Sequence, residues 1–453
     1  MTAGPAAKAS APLSSLPALK LDAAAPSSGA TSPIAPPALR LQPPSQALQR
    51  SAAFDLRRAV GLAVESHPLV ATAVAAYRQQ GSAVEAAQSG KRPQVRASLA
   101  AGRQAAGTQS GALTASQMLY DFGKVEGLVN RASANERQQF AQILQRVDDV
   151  ARDTAIAMIE VHRFERLEAE TQLLVQSLQE IVRLTELRSS AGAGTRADPL
   201  SARSRLEAAQ ATLQAVLTQK QQQLSRLRLL VNAQLPDRLP PPDAAAFRRW
   251  RQLGEPQLEQ LPSVQSAQAE VEAAQAGLAS ARAQPLPTVS LDASLARRVP
   301  DASGLTRSTD TSVFINLSSP LYEGGLARAQ IDAAASGVIA AQARLETARL
   351  EARTMQREVA EQIDGLDKRL TLLAARQQKV QGTRRIYREQ YLSLGTRSLL
   401  DLLNNEQEIY QARADQVVAQ HDLWVAQLRS LHASGRLRQA FELRRVQNLE
   451  LPS

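Results

Sequence analysis

The sequence predicts a mainly α-helical protein with a small β part, built as two copies of one structural unit. Three observations carry that prediction. Two stretches of about 65 residues, Lys124 to Arg188 and Leu326 to Leu392, hold no proline, the main helix breaker. Short runs of apolar–polar alternation precede each stretch. The words around these elements recur about 200 residues apart, far too long a period for a solenoid repeat.

Composition supports the helical class and removes several functions. Ala, Leu, Gln, Arg and Glu dominate the 453 residues, and aromatics make up only 3%. That mix suits helices packed through small side chains. The formal charge is +10, yet Arg and Lys alternate with Glu and Asp and form no block of like sign. Interspersed charge describes solvated helix faces rather than a nucleic-acid surface. Without cysteine in these 453 residues, disulfides, thiolate metal sites and Cys nucleophiles are excluded, and no lipidated Cys anchor is expected. The four histidines, His67, His162, His421 and His432, stand in no metal-binding spacing, so no cofactor or metal is expected. No run of about 18 apolar residues predicts a transmembrane helix. Residues 1–51 are rich in Ala, Pro and Ser and lack the apolar core of a signal peptide. They are expected to be a disordered leader.

The elements follow in order. Helical periodicity begins near Phe54 and is interrupted at His67–Pro68, where the histidine is expected to serve a turn. A second helix runs to Gly90. Val95, Ala97 and Leu99 then alternate with Arg96, Ser98 and Ala100, which reads as a strand. A Gly- and Ser-rich turn over 102–111 leads to a second strand, Leu113 to Tyr120. The first proline-free stretch has Gly127 as its only interior glycine and would be roughly 100 Å long as one helix. It breaks at Ser189 to Pro199, where Asp198 before Pro199 suits a helix start. The next helix reaches Asn232. After a proline-rich linker the order repeats: helix, strand Val289 to Leu295, loop 300–308, strand Val313 to Leu317, long helix, a break at Ser393 to Arg397, and a last helix. This gives a leader (1–51), a first unit (52–235), a linker (236–256), a second unit (257–437) and a tail (438–453).

The two units also match in wording. Leu119-Tyr120-Asp121-Phe122-Gly123 answers Leu321-Tyr322-Glu323-Gly324-Gly325, and Gly194-Thr195-Arg196 answers Gly395-Thr396-Arg397. Two strands per unit cannot close a barrel, and an open edge in lipid leaves backbone groups unsatisfied. If these strands enter a membrane, several chains must pool them, and three chains would supply twelve.

From Phe54 to Leu437 the chain resembles the TolC family of outer-membrane efflux and secretion proteins. The carriers are the two strand-to-helix turns and the run Leu394-Gly395-Thr396-Arg397-Ser398-Leu399-Leu400-Asp401-Leu402-Leu403-Asn404. The resemblance implies a homotrimer: a long α-helical coiled-coil barrel in the periplasm, continued by a twelve-stranded β-barrel in outer-membrane lipid. It also implies docking to a periplasmic adaptor (membrane fusion) protein and to an inner-membrane ABC transporter or other pump. The helix turns would form the periplasmic tip, where the tunnel closes. There Arg397 matches an arginine that helps hold the closed state. Asp401 matches a constriction aspartate, and a second such aspartate is replaced by Asn404, which should weaken cation selectivity. Gly194, Thr195, Arg196 and Asp198 would pack beside them and contact the adaptor. Tyr120, Gly123, Tyr322 and Gly325 would stand at the strand–helix junctions, with the tyrosines near the membrane interface.

Plainer roles compete at each position. Asp401 follows Ser398 by three residues, the spacing of a capping box, so its carboxylate serves the helix end alone or the helix end and the pore together. Arg196 and Arg397 could be surface arginines, and Gly194 and Gly395 could simply permit turns. For the whole chain, the wording of Ser398 to Glu408 favours the outer-membrane component of type I protein secretion. Small-molecule efflux is the alternative, and a soluble coiled-coil scaffold the alternative of another class. No nucleophile–base pair or phosphate loop suggests an enzyme.

Overall fold

The computed structural model describes residues 54–102, 108–236, 238–251, 258–300 and 308–443. The expected leader, both hairpin tips and the last ten residues lie outside that range. Nine helices are described: α1 (Leu56–Ser66), α2 (Pro68–Ser89), α3 (Lys124–Ser190), α4 (Ala197–Val231), α5 (Ala244–Trp250), α6 (Pro262–Ala283), α7 (Leu326–Glu389), α8 (Leu399–Ala433) and α9 (Leu437–Ala440). Four strands accompany them: β1 (Gln94–Gly102), β2 (Thr108–Tyr120), β3 (Thr288–Pro300) and β4 (Ser308–Ser318). Among the described residues no single helix is long and apolar enough to cross a membrane.

The two proline-free stretches are the long helices α3 and α7, of 67 and 64 residues. Each is flanked by a shorter helix on either side of its middle: α2 and α4 lie along α3, α6 and α8 along α7. Residues of α7 that face its partners run Val338, Ala341, Leu345, Ala348, Ala352 in steps of three and four. Then comes an extra step of four, to Gln356, before Val359, Ile363 and Leu366 resume the pattern. Such a stutter locally unwinds a coiled coil. It falls where α7 changes partner. Ala341 and Leu345 pack against Val264 and Val271 of α6, whereas Leu366 packs against Leu423 and Ala426 of α8. Helix α3 also touches α6, and Gly127 permits the contact. A Cβ there would stand 2.9 Å from Cα of Ser280, closer than packed carbons come.

His67 has the turn role expected of it. Its Nδ1 accepts the Leu69 amide at 3.2 Å and caps α2, with Pro68 at the first helical position. The second unit repeats this start with Leu261 and Pro262, without a side-chain cap.

The strands form one antiparallel sheet in the order β1-β2-β3-β4, so each unit contributes a hairpin and the two hairpins join through β2 and β3. The strands are longer than the alternation suggests, because Thr108–Ala112 pair with Pro300–Ala296 across the ladder despite their turn-like composition. Register places Val95, Ala97, Leu99, Leu113, Leu291, Leu295, Val313, Ile315 and Leu317 on one face. That face is bare: Leu99 is 93% exposed and Ile315 69%. The other face is polar, and there Ser116 and Ser290 both donate to the Asp292 carboxylate while Ser294 and Ser312 share a hydrogen bond of 2.7 Å. β1 and β4 are edges, each with one side unpaired among the described residues.

The largest core lies at mid-height, around the middle of α3. Val147, Val150, Ala151, Ala155 and Ile159 pack there against α1, the end of α8, α5 and α9. Both tryptophans and two phenylalanines gather here: Trp250 meets Phe247 at 4.9 Å and Phe441 at 5.4 Å, and Phe247 stacks on Trp424 at 5.8 Å. The linker contains α5 with Phe247 buried, and the folded chain continues past 437 through α9, Phe441 and Leu443. Both are short amphipathic pieces whose apolar residues find partners only in the assembled core.

Candidate functional site

The α3–α4 and α7–α8 turns lie side by side at one end of the helices. Beneath them sits an apolar cluster of Leu174, Leu178, Ile181, Ala202, Tyr391, Leu399, Leu402 and Leu403, contributed by both hairpins. The structure thus brings together all nine tip residues named from the sequence, on two turns sharing one core.

In the first turn, Asp198 is the second residue of α4 rather than its cap. Its carboxylate reaches back to accept the Thr195 amide at 3.2 Å and the Thr195 hydroxyl at 2.8 Å. Arg196 is exposed. The left-handed glycine here is Gly192 (φ +72°); the positive-φ set does not include Gly194, so the turn role expected of Gly194 belongs to Gly192.

In the second turn, Gly395 does adopt a left-handed conformation, with φ +63°. It follows a π-turn over Gln390–Leu394, closed by its own amide donating to the Gln390 carbonyl, to which the Thr396 amide also donates at 3.2 Å. Ser398 and Asp401 form the capping box: the Asp401 amide donates to Ser398 Oγ at 3.2 Å and the Ser398 amide to Asp401 Oδ2 at 3.4 Å. Arg397 lies over the Tyr387 ring at 4.5 Å, donates to Gln390 Oε1 at 3.2 Å and stands 3.7 Å from Asp401. All three contacts are within its own hairpin. Asn404, one turn further on, is exposed.

The links between hairpins come from residues that sequence reasoning missed. Arg188, in the last turn of α3, donates to the Tyr391 carbonyl at 2.7 Å and to the Ala193 carbonyl at 3.2 Å, with its guanidinium 4.7 Å above the Tyr391 ring. Burial of Tyr391 pushes its phenol above the ordinary value. Behind it, Arg388 donates to Glu180 at 3.1 Å, and Arg384 reaches Glu406 at 2.8 Å and Ser177 at 2.9 Å. These arginines border a groove of about 470 Å³ between α3, α7 and α8. One signal was available: only six tyrosines exist, and Tyr387 and Tyr391 both stand at the helix break.

At the other end, the two junctions share one backbone path. Gly123 and Gly325 have φ of +92° and +90°, preceded by Phe122 (+56°) and Gly324 (+61°). Asp121 caps α3 by accepting the Gly123 amide at 3.0 Å and the Val125 amide at 2.6 Å. Tyr120 meets Phe122 edge-on at 4.7 Å, and Tyr322 is 90% exposed.

Chemically, the tip offers hydrogen bonds and ion pairs that tie two helical hairpins and can be exchanged by side-chain motion. Residues 59–233 and 254–435 match the sequence profile of the family described as outer membrane efflux protein. The outer membrane efflux protein BepC of Brucella suis is 26% identical over 387 residues, covering 80% of this chain and 81% of that protein. The solvent efflux pump outer membrane protein SrpC of Pseudomonas putida is 30% identical over 311 residues, 64% of this chain and 63% of that one. The crystal structure of the outer membrane protein VceC from Vibrio cholerae superposes with a TM-score of 0.72 over 84% of this chain and 96% of that one, at 18% identity, a likeness of fold.

Proposed function

Because this chain belongs to the outer membrane efflux protein family, we propose that it is the outer-membrane channel of a small-molecule efflux pump, with three copies sharing one barrel and one helical tunnel. Membership places it in the outer membrane and makes it a conduit rather than an enzyme. The observation that carries the channel reading is the four-stranded sheet, apolar on one face, polar on the other and open at both edges, continuing directly into α3 and α7. Such a sheet satisfies its backbone in lipid only by pairing with further copies. Three copies give twelve strands, within the range of closed outer-membrane barrels.

Small molecules are favoured over the type I secretion suggested by the wording of Ser398 to Glu408, because two relatives carry solvent- and toluene-efflux names. In this reading a periplasmic adaptor and an inner-membrane pump supply specificity and energy. The turns at Gly194–Asp198 and Gly395–Arg397 meet the adaptor. Asp401 and Asn404 face the constriction.

The gate reading is tested in planar bilayers. Arg188→Ala, which removes the link between hairpins, is expected to raise single-channel conductance severalfold. Arg397→Ala, whose contacts stay within one hairpin, is expected to raise it less. Equal conductance of Arg188→Ala and the parent would remove the gate from this turn. Deleting the gene should sensitise cells to solvents and amphiphilic drugs. A loss of one secreted protein with unchanged drug tolerance would restore the secretion reading.

A further inference from the structure

His162 of α3 and His421 of α8 meet at 2.8 Å, Nδ1 of the first to Nε2 of the second. Their proton pattern has one solution. His421 Nδ1 lies 2.6 Å from the Val417 carbonyl, which can only accept, so Nδ1 carries hydrogen. Nε2 of neutral His421 is then a bare acceptor, and His162 Nδ1–H donates to it. One added proton can be shared, because His162 can shift its hydrogen to Nε2 and accept at Nδ1; a second proton, making both rings cationic, sets N–H against N–H and breaks the bond.

The surroundings oppose that second proton. His421 is 2% exposed, and Trp424 stands edge-on to it at 4.8 Å. From α3, Arg163 and Arg166 face the pair. Glu160 and Glu170, also on α3, are engaged by Arg163 and Arg166 respectively. From α8, Asp422 is held by Arg163 at 3.2 Å and Arg413 pairs with Glu170 at 3.4 Å. Helix α7 brings the neutral Gln377 to the adjoining cavity, and α5 places Phe247 behind Trp424. Burial, and then the nearby arginine, pull His162 below its ordinary value, and burial takes His421 to about 4.

We propose that the His162–His421 pair is an acid-released latch that ties the long helix of the first unit to the last long helix of the second. Both helices run on to the tip turns, roughly 40 Å away at 1.5 Å per residue. Release here therefore loosens the two hairpins against each other at the end where they close. The consequence at the tip rests on the channel reading; the latch itself does not. Because the latched state holds these imidazoles below their ordinary value, the released state binds more protons. The latch is intact above about pH 6.5 and weakens as pH falls toward 4, by up to roughly a hundredfold per chain.

The test compares full-length protein with His421→Gln and His162→Gln. Hydrogen–deuterium exchange around Val417 to Val425, corrected for the intrinsic pH dependence, is followed from pH 7 to 4.5, alongside single-channel recordings. Protection in the parent should fall tenfold or more on acidification, open probability should rise over the same interval, and both variants should lose the response. An unchanged parent, or variants that respond as the parent does, would overturn the latch. His162 is only part-buried, so His162→Gln remains informative if His421→Gln folds poorly. Loss of protection without any channel activity would uphold the latch and sink the channel reading instead.

Discussion

Gly325 shows how a single residue carries the repeat. Its φ of +90° matches the +92° of Gly123, and both stand where a strand end must turn into a helix of more than sixty residues. A Cβ in that conformation costs about 1–2 kcal/mol. Gly325→Ala is therefore expected to lower the denaturant midpoint of the purified protein. Gly337→Ala, inside α7 with nothing near its Cβ, should leave it equal or higher. A Gly325→Ala midpoint equal to the parent's would mean the turn can be made another way. Phe122 bears the same positive φ that Gly324 takes in the second unit, and its ring is held edge-on to Tyr120. At this scale the sequence disclosed much that depends on neighbours in the chain, although the left-handed glycine of the first turn is Gly192 rather than Gly194 and Asp198 lies inside α4 rather than capping it. Gly395, the Ser398–Asp401 box and the His67 cap all follow from spacing. Arg188 and Tyr391 lie 203 residues apart, and no local pattern announces their bond. The same holds for His162 and His421, which looked like isolated histidines until two helices were laid together.

Among elements, the absence of proline was enough to find α3 and α7, because helices of that length tolerate no breaker. The extra step at Ala352–Gln356 was equally present in the sequence. Its meaning needed the partners, since it marks the exchange of α6 for α8. Helix α9, by contrast, spans four residues, too short for periodicity to reveal. An ion pair holds it in place: Arg438 lies 3.1 Å from Asp148 of α3, and the two side chains are 14% and 4% exposed. Burial pushes the Asp148 carboxyl up to about 6 even with Arg438 and His432 pulling it down. Arg438→Ala would leave that carboxylate buried without its main partner, a loss of about 3–5 kcal/mol at neutral pH. The sign of the pH dependence follows. Without the arginine the folded state holds the Asp148 proton still more tightly than the unfolded state does. Acidification then neutralises the group and returns stability. Denaturation of Arg438→Ala at pH 7.5 and pH 5 is expected to show a deficit that shrinks at the lower pH. A deficit that is constant or grows would mean packing of α9, not charge, dominates.

For the whole molecule, the decisive property is the two-sidedness of a sheet that its own chain leaves bare. Val313, Ile315 and Leu317 alternate with Phe314, Asn316 and Ser318 along β4, and register carries the apolar set across to Val289, Leu291 and Ala293. In water, such a face would be an aggregation hazard. On the proposed channel reading it is the outer wall of a barrel in lipid, with the hydroxyl and carboxylate network around Asp292 lining the inside. A one-residue step along β4 should therefore separate two outcomes. Ile315→Arg places a guanidinium in the hydrocarbon region, costing about 2–4 kcal/mol per chain near the midplane and three times that per trimer. Asn316→Arg places the same charge in the aqueous lumen, where the cost is small and the effect is on ion selectivity. Expressed in cells, Ile315→Arg is expected to be depleted from outer-membrane fractions and to lose its heat-modifiable oligomer. Asn316→Arg should insert normally and shift the channel toward anions. If both variants insert equally well, the sheet does not face lipid, and the long helices would have to be explained as a scaffold outside the membrane.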